Sequence, residues 1–399
     1  MAEQTLIVGA GVFGLTAAVE LAERGHRVTV IDPGPVPHPW AASNDWSKAV
    51  RAEYGADRLY TDLADEAIDG WLTWNQQLGR RVYEPTGVLI STRQPMRPGG
   101  FEHDSYQLAL RRGRSPQRLD GAALTERFPA WGAGIYVDGF YHERGGLTYA
   151  GATIEALAEQ AKKVGVVLRA GQAAAGLIED GGRVVGVRTQ KDEAFIADHV
   201  VLAVGVWTPT LLPDLAGFVK PTAHPLFYLR PPADRVEWFR PPQFCVFTAD
   251  VSRTGWYGFP ADPTTGLVKV ALHDAGHGVS PDEVREGVPP HRLDQCRAFL
   301  RESLPALAEA EIVEAKHCFY TDTADGHFLI ARHPDRAGLT VATGGSGHAM
   351  KFAPVLGRLV ADAAEGKAFR GERRFAWRTV AGDTPGDAAR AQSSDKDQS

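Results

Sequence analysis

The sequence predicts a mixed α/β + β fold: a discontinuous dinucleotide-binding domain, with a second domain built on a mostly antiparallel sheet inserted into it. Three observations lead there. The first is residues 5–32, where an apolar β-branched run, a glycine-rich turn, a helical pattern and a second apolar run follow one another. The second is the return of that α/β signal in later stretches, around residues 147–207 and after about 325. The third is the stretch 219–275, which turns β-like and is crowded with prolines and aromatics. At 399 residues the chain is also long for one core, so two domains are expected.

Taken in order, Leu6–Val8 reads as a strand, residues 14–24 as a helix, and Arg27–Ile31 as a second strand ending at Asp32. Between them Gly9-Ala10-Gly11-Val12-Phe13-Gly14 has the G-x-G-x-x-G spacing. In that spacing the first glycine makes the tight turn, the second lets the backbone approach a pyrophosphate, and the third lets helix and strand pack closely. The helix start at Val12 and Phe13 then aims N–H groups at an anion. Asp32 is spaced to accept ribose hydroxyls. An acid there disfavours a 2′-phosphate and hence NADP, but the spacing does not separate FAD from NAD. A long irregular segment with PGPVPHPW at 33–40 follows. Helical patterning returns near Arg58–Leu78, strand-like runs come at Gly87–Ser91 and Gly134–Tyr141, and Leu147–Gly165 reads as an amphipathic helix. Val166–Leu168, Ala174–Glu179, Arg183–Thr189 and Ala194–Ile196 read as strands, with Asp180-Gly181-Gly182 as a hairpin turn. His199–Gly205 is a buried-strand run, a short helix is expected near Arg292–Leu300, and Ala353–Gly366 reads as a helix. The resulting division is 1–86, 145–216 and 325–380 for the nucleotide-binding domain, 87–144 and 217–324 for the inserted substrate domain, and a disordered tail at 381–399.

Bulk properties narrow the function. The formal net charge of −6 gives no basic surface for nucleic acid. No apolar run reaches eighteen residues, so no membrane span is expected. Residues 5–21 are apolar, but Glu3 precedes them instead of a basic region, so they are not read as a signal peptide. Cys245, Cys296 and Cys318 are an odd, widely spaced set, which fits a reducing cytoplasm and no disulfide framework. No Cys-x-x-Cys or clustered histidine pattern supports a metal site.

The sharpest chemical signal lies far from the fingerprint. Lys316–Gly357 holds Cys318, Tyr320 and Thr321, then Gly344-Gly345-Ser346-Gly347-His348 and Lys351 before a helix. With Ser43–Tyr54, Val201–Trp207 and Trp256–His273, these motifs resemble the monomeric sarcosine oxidase branch of the D-amino-acid-oxidase-like flavoproteins, which includes the fructosyl-amine oxidases. The likeness runs from GAGVFG to GGSGHAMKF, nearly the whole chain. It implies a Rossmann-like FAD-binding domain and FAD as cofactor, attached through Cys318, with Tyr320 and Thr321 in step. The segment carrying Ser43, Asn44 and Lys48 would cross the flavin ring, and Gly205 and Trp207 would pass near the cofactor, as would Gly344, Gly345, Gly347 and His348.

The resemblance also implies a substrate site. Arg51 and Lys351 would hold a substrate carboxylate, a role that suits the parallel donors of a guanidinium. Isolated, Arg51 would read as a surface charge and Lys351 as a solvated helix start. Lys269 would promote reaction with dioxygen, where a fixed ammonium stabilises developing negative charge. Lys269 and His273, four apart in a strand, lie on one face and are expected to look into one cavity. Tyr257 would form an active-site wall. Lysine at position 48 follows the fructosyl-amine branch and histidine at 273 the sarcosine branch, so the motifs are mixed.

The expected activity is oxidation of the C–N bond of an N-substituted α-amino acid to an imine, with dioxygen reduced to hydrogen peroxide, by a cytoplasmic monomer. Three rivals stand beside it: a fructosyl-amino-acid oxidase, a dehydrogenase using another acceptor, and a non-catalytic flavin-binding subunit.

Overall fold

The computed structural model describes residues 2–283 and 287–380. Its first sheet has six strands in the order Leu329–Arg332, Leu339–Thr343, His199–Leu202, Gln4–Val8, Arg27–Asp32 and Val167–Ala170. All pairs are parallel except the outermost, Leu329–Arg332 against Leu339–Thr343. Alternate side chains of Gln4–Val8 enter two different cores. Ile7 joins the core formed by the helices Val12–Glu23, Arg58–Gln77, Ala150–Lys163 and Ala353–Glu365. Leu6 and Val8 join Val184, Val187, Leu215 and Phe218 on the other face. A sheet buried on both faces requires continuous apolar strands, which is why these runs lack polar alternation.

The second sheet has nine strands, drawn from Val88–His142 and Val219–Thr323. Its pairs are antiparallel except Val246–Ala249 with Val88–Thr92. The strands Trp256–Phe259, Val268–Leu272, Val219–Arg230 and Glu311–Thr323 lie side by side within it. A small sheet of Lys48–Val50, Gly146–Thr148 and Tyr83–Glu84 ties down the segment that follows Asp45.

Three expectations need correction. The helix expected over Leu147–Gly165 starts at Ala150, because Gly146–Thr148 is taken up as a strand by Lys48–Val50. The strand expected over Gly134–Tyr141 is Asp138–His142, and HVVLAVG stays extended only to Leu202 before a 3₁₀ turn at Gly205–Trp207. The helices Phe101–Arg111 and Gly121–Arg127 are additional; Asp120 caps the second by accepting from the Ala123 N–H at 2.9 Å. The tail expected to be disordered lies outside the described residues.

Candidate active site

A cavity of about 390 Å³ opens beside the C-terminal end of the parallel sheet. Gly9, Gly11, Val12, Phe13 and Asp32 line one part of it. Ser43, Lys48, Gly205 and Trp207 line another, and Tyr320, Gly344, Gly345 and Gly347 a third. The helix Val12–Glu23 starts at this wall without a side-chain cap on Gly11, so its first-turn N–H groups are left for a ligand. Asp32 is buried, and its carboxylate accepts from the Ala10 N–H at 2.8 Å and the Gly34 N–H at 3.1 Å. Burial pushes its pKa up, against the pull of those two donors. Gly14 is not on the wall: a Cβ there would strike the Gly9 carbonyl, so its part is the close packing of helix on strand. Asn44 is on neither cavity wall; its amide oxygen lies against Gly151 at the start of a helix.

A smaller cavity of about 60 Å³ adjoins the first, and Lys48, Tyr320, Gly347 and Met350 line both. Arg51, Tyr257, His273, His348 and Lys351 complete its polar wall. His348 therefore faces the smaller cavity, not the nucleotide cavity. Arg51 is buried between the rings of Tyr54 and Phe101, at 5.2 and 5.5 Å, and donates to the Glu53 carbonyl. The Lys351 ammonium donates to the Tyr54 hydroxyl at 2.8 Å, and that hydroxyl lies 3.0 Å from His348 Nδ1. His348 Nε2 is 3.1 Å from the Gly326 carbonyl, which only accepts. A chain of polar contacts thus runs from Lys351 through Tyr54 to His348, and the Gly326 carbonyl takes a proton carried on Nε2. Tyr257 and Tyr320 meet through their hydroxyls at 3.3 Å. Behind Tyr320, His224 stacks at 3.9 Å, with Asp274 and Asp322 at 3.7 and 3.8 Å from its two ring nitrogens. Gly347 has φ +73°, and a Cβ on it would run into the Tyr320 ring. The glycine is therefore what lets Tyr320 stand between the cavities.

Lys269 departs from expectation. It lines neither cavity, although His273 does. Its ammonium is fully buried, donating to Asp45 Oδ2 at 2.5 Å and to the Ser47 carbonyl at 2.7 Å. Asp45 also accepts from the Tyr228 hydroxyl at 2.7 Å and pairs with Lys48 at 3.2 Å. Burial opposes the charge on Asp45, but the two lysines hold its pKa well below the usual carboxylate range. Burial also opposes the charge on Lys48; Cys318 and Asp45 nevertheless hold its pKa above the ordinary value. For Lys269, burial and the nearby Lys48 outweigh the attraction of Asp45 and push it down to about 8. Cys318 lies on neither wall, but its Sγ is 3.4 Å from the Lys48 ammonium, which lines both cavities. Burial pushes the thiols of Cys245 and Cys296 up to about 12, so neither carries thiolate character.

Sequence reasoning missed Asp45, Tyr54 and His224. Asp45 had a signal, an acid three residues before Lys48 in a segment otherwise poor in charge. His224 and Tyr54 had none, because the charged groups they face, Asp274 and Asp322 for the one and Lys351 for the other, lie 50 or more residues away.

Comparison with known proteins shows the family and the fold. A family model described as FAD dependent oxidoreductase matches residues 4–363. A monomeric sarcosine oxidase of Bacillus sp. (strain B-0618) is 26% identical, over 90% of this chain and 91% of its own. L-saccharopine oxidase of Schizosaccharomyces pombe is 28% identical, over 95% and 93%. Among solved structures, the deglycating enzyme fructosamine oxidase of Aspergillus fumigatus (Amadoriase II) superposes with a TM-score of 0.83 at 26% identity, covering 98% of this chain and 94% of that one.

Proposed function

The chain belongs to the FAD dependent oxidoreductases, and from that premise we propose that it oxidises the C–N bond of a small N-substituted α-amino acid, with dioxygen as acceptor. The observation that carries this reading is the convergence of Arg51 and Lys351 on a 60 Å³ cavity that shares walls with the nucleotide cavity. Two cations on the wall of a small pocket suit a carboxylate, and the space corresponds to only about four to six water molecules. A substrate of a few heavy atoms fits there; one bearing a sugar needs more room. The protein that retains such a substrate also needs FAD, and the residues present fit it: an uncapped helix start, a buried acid at the end of the second strand, and glycines lining the wall.

When bound, FAD supplies the two-electron acceptor. The chain does the rest. Arg51 and Lys351 fix the carboxylate, which sets the orientation of the amine. Tyr257, Tyr320 and His273 wall the pocket against water. The balanced reaction takes two electrons and two protons from an H–C–N–H unit and delivers them to dioxygen, giving an imine and hydrogen peroxide. The imine then hydrolyses in water. Cys318, held beside the Lys48 ammonium, is the point of covalent attachment in this reading. Lys269 supplies positive charge near the site where dioxygen gains negative charge. The protein works as a monomer in the cytoplasm.

A fructosyl amine is the second reading, favoured by Lys48 and by the likeness to fructosamine oxidase. One experiment separates the readings. FAD-loaded enzyme is mixed without oxygen with N-methyl, cyclic and fructosyl amino acids, and loss of the flavin absorbance is followed. Bleaching by the small secondary amines, then peroxide on admitting air, is expected. Bleaching by fructosyl amino acids alone selects the second reading. Bleaching without peroxide on aeration makes the enzyme a dehydrogenase.

A further inference from the structure

Asp45 is the buried charge that the proposed chemistry leaves without a task. It lies two residues beyond the cavity-lining Ser43, on a segment pinned by the Gly151 N–H to its carbonyl at 2.8 Å. One carboxylate oxygen takes the Tyr228 hydroxyl and the Trp46 N–H, both within 2.8 Å. The other takes Lys269 and Lys48. The geometry behind this is a feature of the large sheet. Tyr228, Lys269 and Phe259 are cross-strand neighbours in register on three adjacent strands. Cross-strand neighbours project to one face, so the lysine rises between two aromatic rings. Its ammonium is 4.6 Å from the Phe259 ring and 6.0 Å from that of Trp46. Asp45 is docked over this row and meets the ammonium at its end.

Two cations share one carboxylate here, Lys269 in a fully buried pocket and Lys48 on the wall of the cofactor cavity beside it. Within the low dielectric of that pocket the two lysines repel one another strongly. We propose that Asp45 is a positioning residue for Lys269: it fixes the ammonium in place and in its charged form, and Lys48 opposes it by competing for the same oxygen. This rests on the reading of Lys269 as the buried cation that promotes the dioxygen step through its charge, and adds the control over that charge. The titratable groups that face Lys269 are Asp45 on the segment before the small sheet, Lys48 at the start of that sheet's first strand, and Tyr228 and Cys318 on the two long strands. The lysine's pKa of about 8 agrees with a cation held by one partner and pushed by another. Because a lysine loses its charge as pH rises, dioxygen reactivity should be full below about pH 8 and fall above it.

The test follows the ammonium directly. In FAD-loaded enzyme with ¹³C,¹⁵N-labelled lysine, the Lys269 signal is assigned by Lys269→Arg and titrated by NMR. The rate of reoxidation of the reduced enzyme by dioxygen is measured over the same pH range. Asp45→Asn, which keeps shape and removes charge, should move the titration down by about one to three pH units. At pH 8 that is roughly a five- to five-hundredfold loss of the ammonium form, and reoxidation should fall in step. Lys48→Met, which removes the competitor, should move the titration up. Opposite shifts are not what general damage produces, and either variant alone suffices if the other does not fold. A Lys269 titration that stays where it is in both variants overturns the proposal. If the titration shifts but Lys269→Met reoxidises as fast as the wild type, Asp45 keeps its assignment and the dioxygen role of Lys269 is lost.

Discussion

Replacing Lys351 with methionine tests the carboxylate clamp most directly, since the side chain keeps its length and loses only its charge. In the structure the ammonium is 5% exposed and donates to the Tyr54 hydroxyl at 2.8 Å while lining the smaller cavity. A carboxylate bound there would gain a charge-assisted hydrogen bond in a site shielded from water. Such bonds contribute about 1.5–3 kcal/mol, which is roughly ten- to a hundredfold in Kd. The assay is titration of a small carboxylate such as acetate against the flavin absorbance of oxidised enzyme, for Lys351→Met, Arg51→Met and the wild type. Each variant should weaken binding by that factor. Stability should move the other way or stay still. Removing a buried cation relieves its dehydration, and Tyr54 keeps His348 as an acceptor 3.0 Å away. Tyr54→Phe is the reverse case: it takes that acceptor from the ammonium and should lower Tm by a few degrees. Unchanged carboxylate binding in both cation variants would mean that the substrate is anchored by something else, and the reading of the pocket as a carboxylate site would fail.

Other outcomes follow from the same geometry. Cys318→Ala should release yellow flavin into the supernatant after acid precipitation, while Cys245→Ala and Cys296→Ala keep it in the pellet; a wild-type pellet without colour would remove covalent attachment. Gly347→Ala places a side chain at φ +73° and against the Tyr320 ring, at a cost of at least about 1 kcal/mol, read as a lower Tm and weaker carboxylate binding. An unshifted Tm would show that Tyr320 gives way. His199 is buried between strands, 2.8 Å from the Thr340 hydroxyl; burial first, then Arg332 and Arg183, push its pKa down to about 4 from 6.5. The unfolded chain therefore takes up this proton first, so stability is lost as pH falls from 6.5 towards about 4, on the order of 3 kcal/mol. His199→Gln should flatten that part of the urea-denaturation pH profile; an identical slope would assign it to other groups.

How far the sequence could be read depended on how local each signal was. The fingerprint from Leu6 to Asp32 is legible because turn, helix start and acid follow one another within one α/β unit. The stretch 219–275, which holds Lys269, was legible as β-rich from its prolines and aromatics, and Lys316–Gly357, which holds Cys318, through its motif. Helix Phe101–Arg111 escaped because its buried positions carry Glu102 and Ser105 beside Phe101, Leu108 and Ala109, a weak apolar stripe. The Lys269–Asp45 pair spans 224 positions. Strand periodicity put Lys269 and His273 on one side of the sheet, but the strand ends at Leu272, and periodicity carries no information about which other segment covers that side. Asp45 covers it at Lys269, and the cavity meets it at His273. The start of the helix at Ala150 was hidden for the same reason: Gly146–Thr148 becomes a strand only because Lys48–Val50, nearly a hundred residues earlier, lies beside it.

The interrupted order of the six-stranded sheet bears on how the protein is made. Gln4–Val8 pairs with Arg27–Asp32 and with His199–Leu202, and the latter pairs with Leu339–Thr343. The nucleotide cavity needs residues from Val8 to Met350. At roughly 5–20 residues per second, a ribosome takes about 20–70 s to pass from the first of these to the last. Until His199–Leu202 is made the N-terminal strand lacks one of its two neighbours, and until the end of that time the core entered by Ile7 lacks the helix Ala353–Glu365. The second sheet is no earlier, because Glu311–Thr323 is one of its long strands. Nascent chains of this protein therefore emerge with both cores open, and cofactor can act on folding only once the chain has passed Met350. Truncated chains ending before Leu339 should need a chaperone to stay in solution, and added FAD should not rescue them.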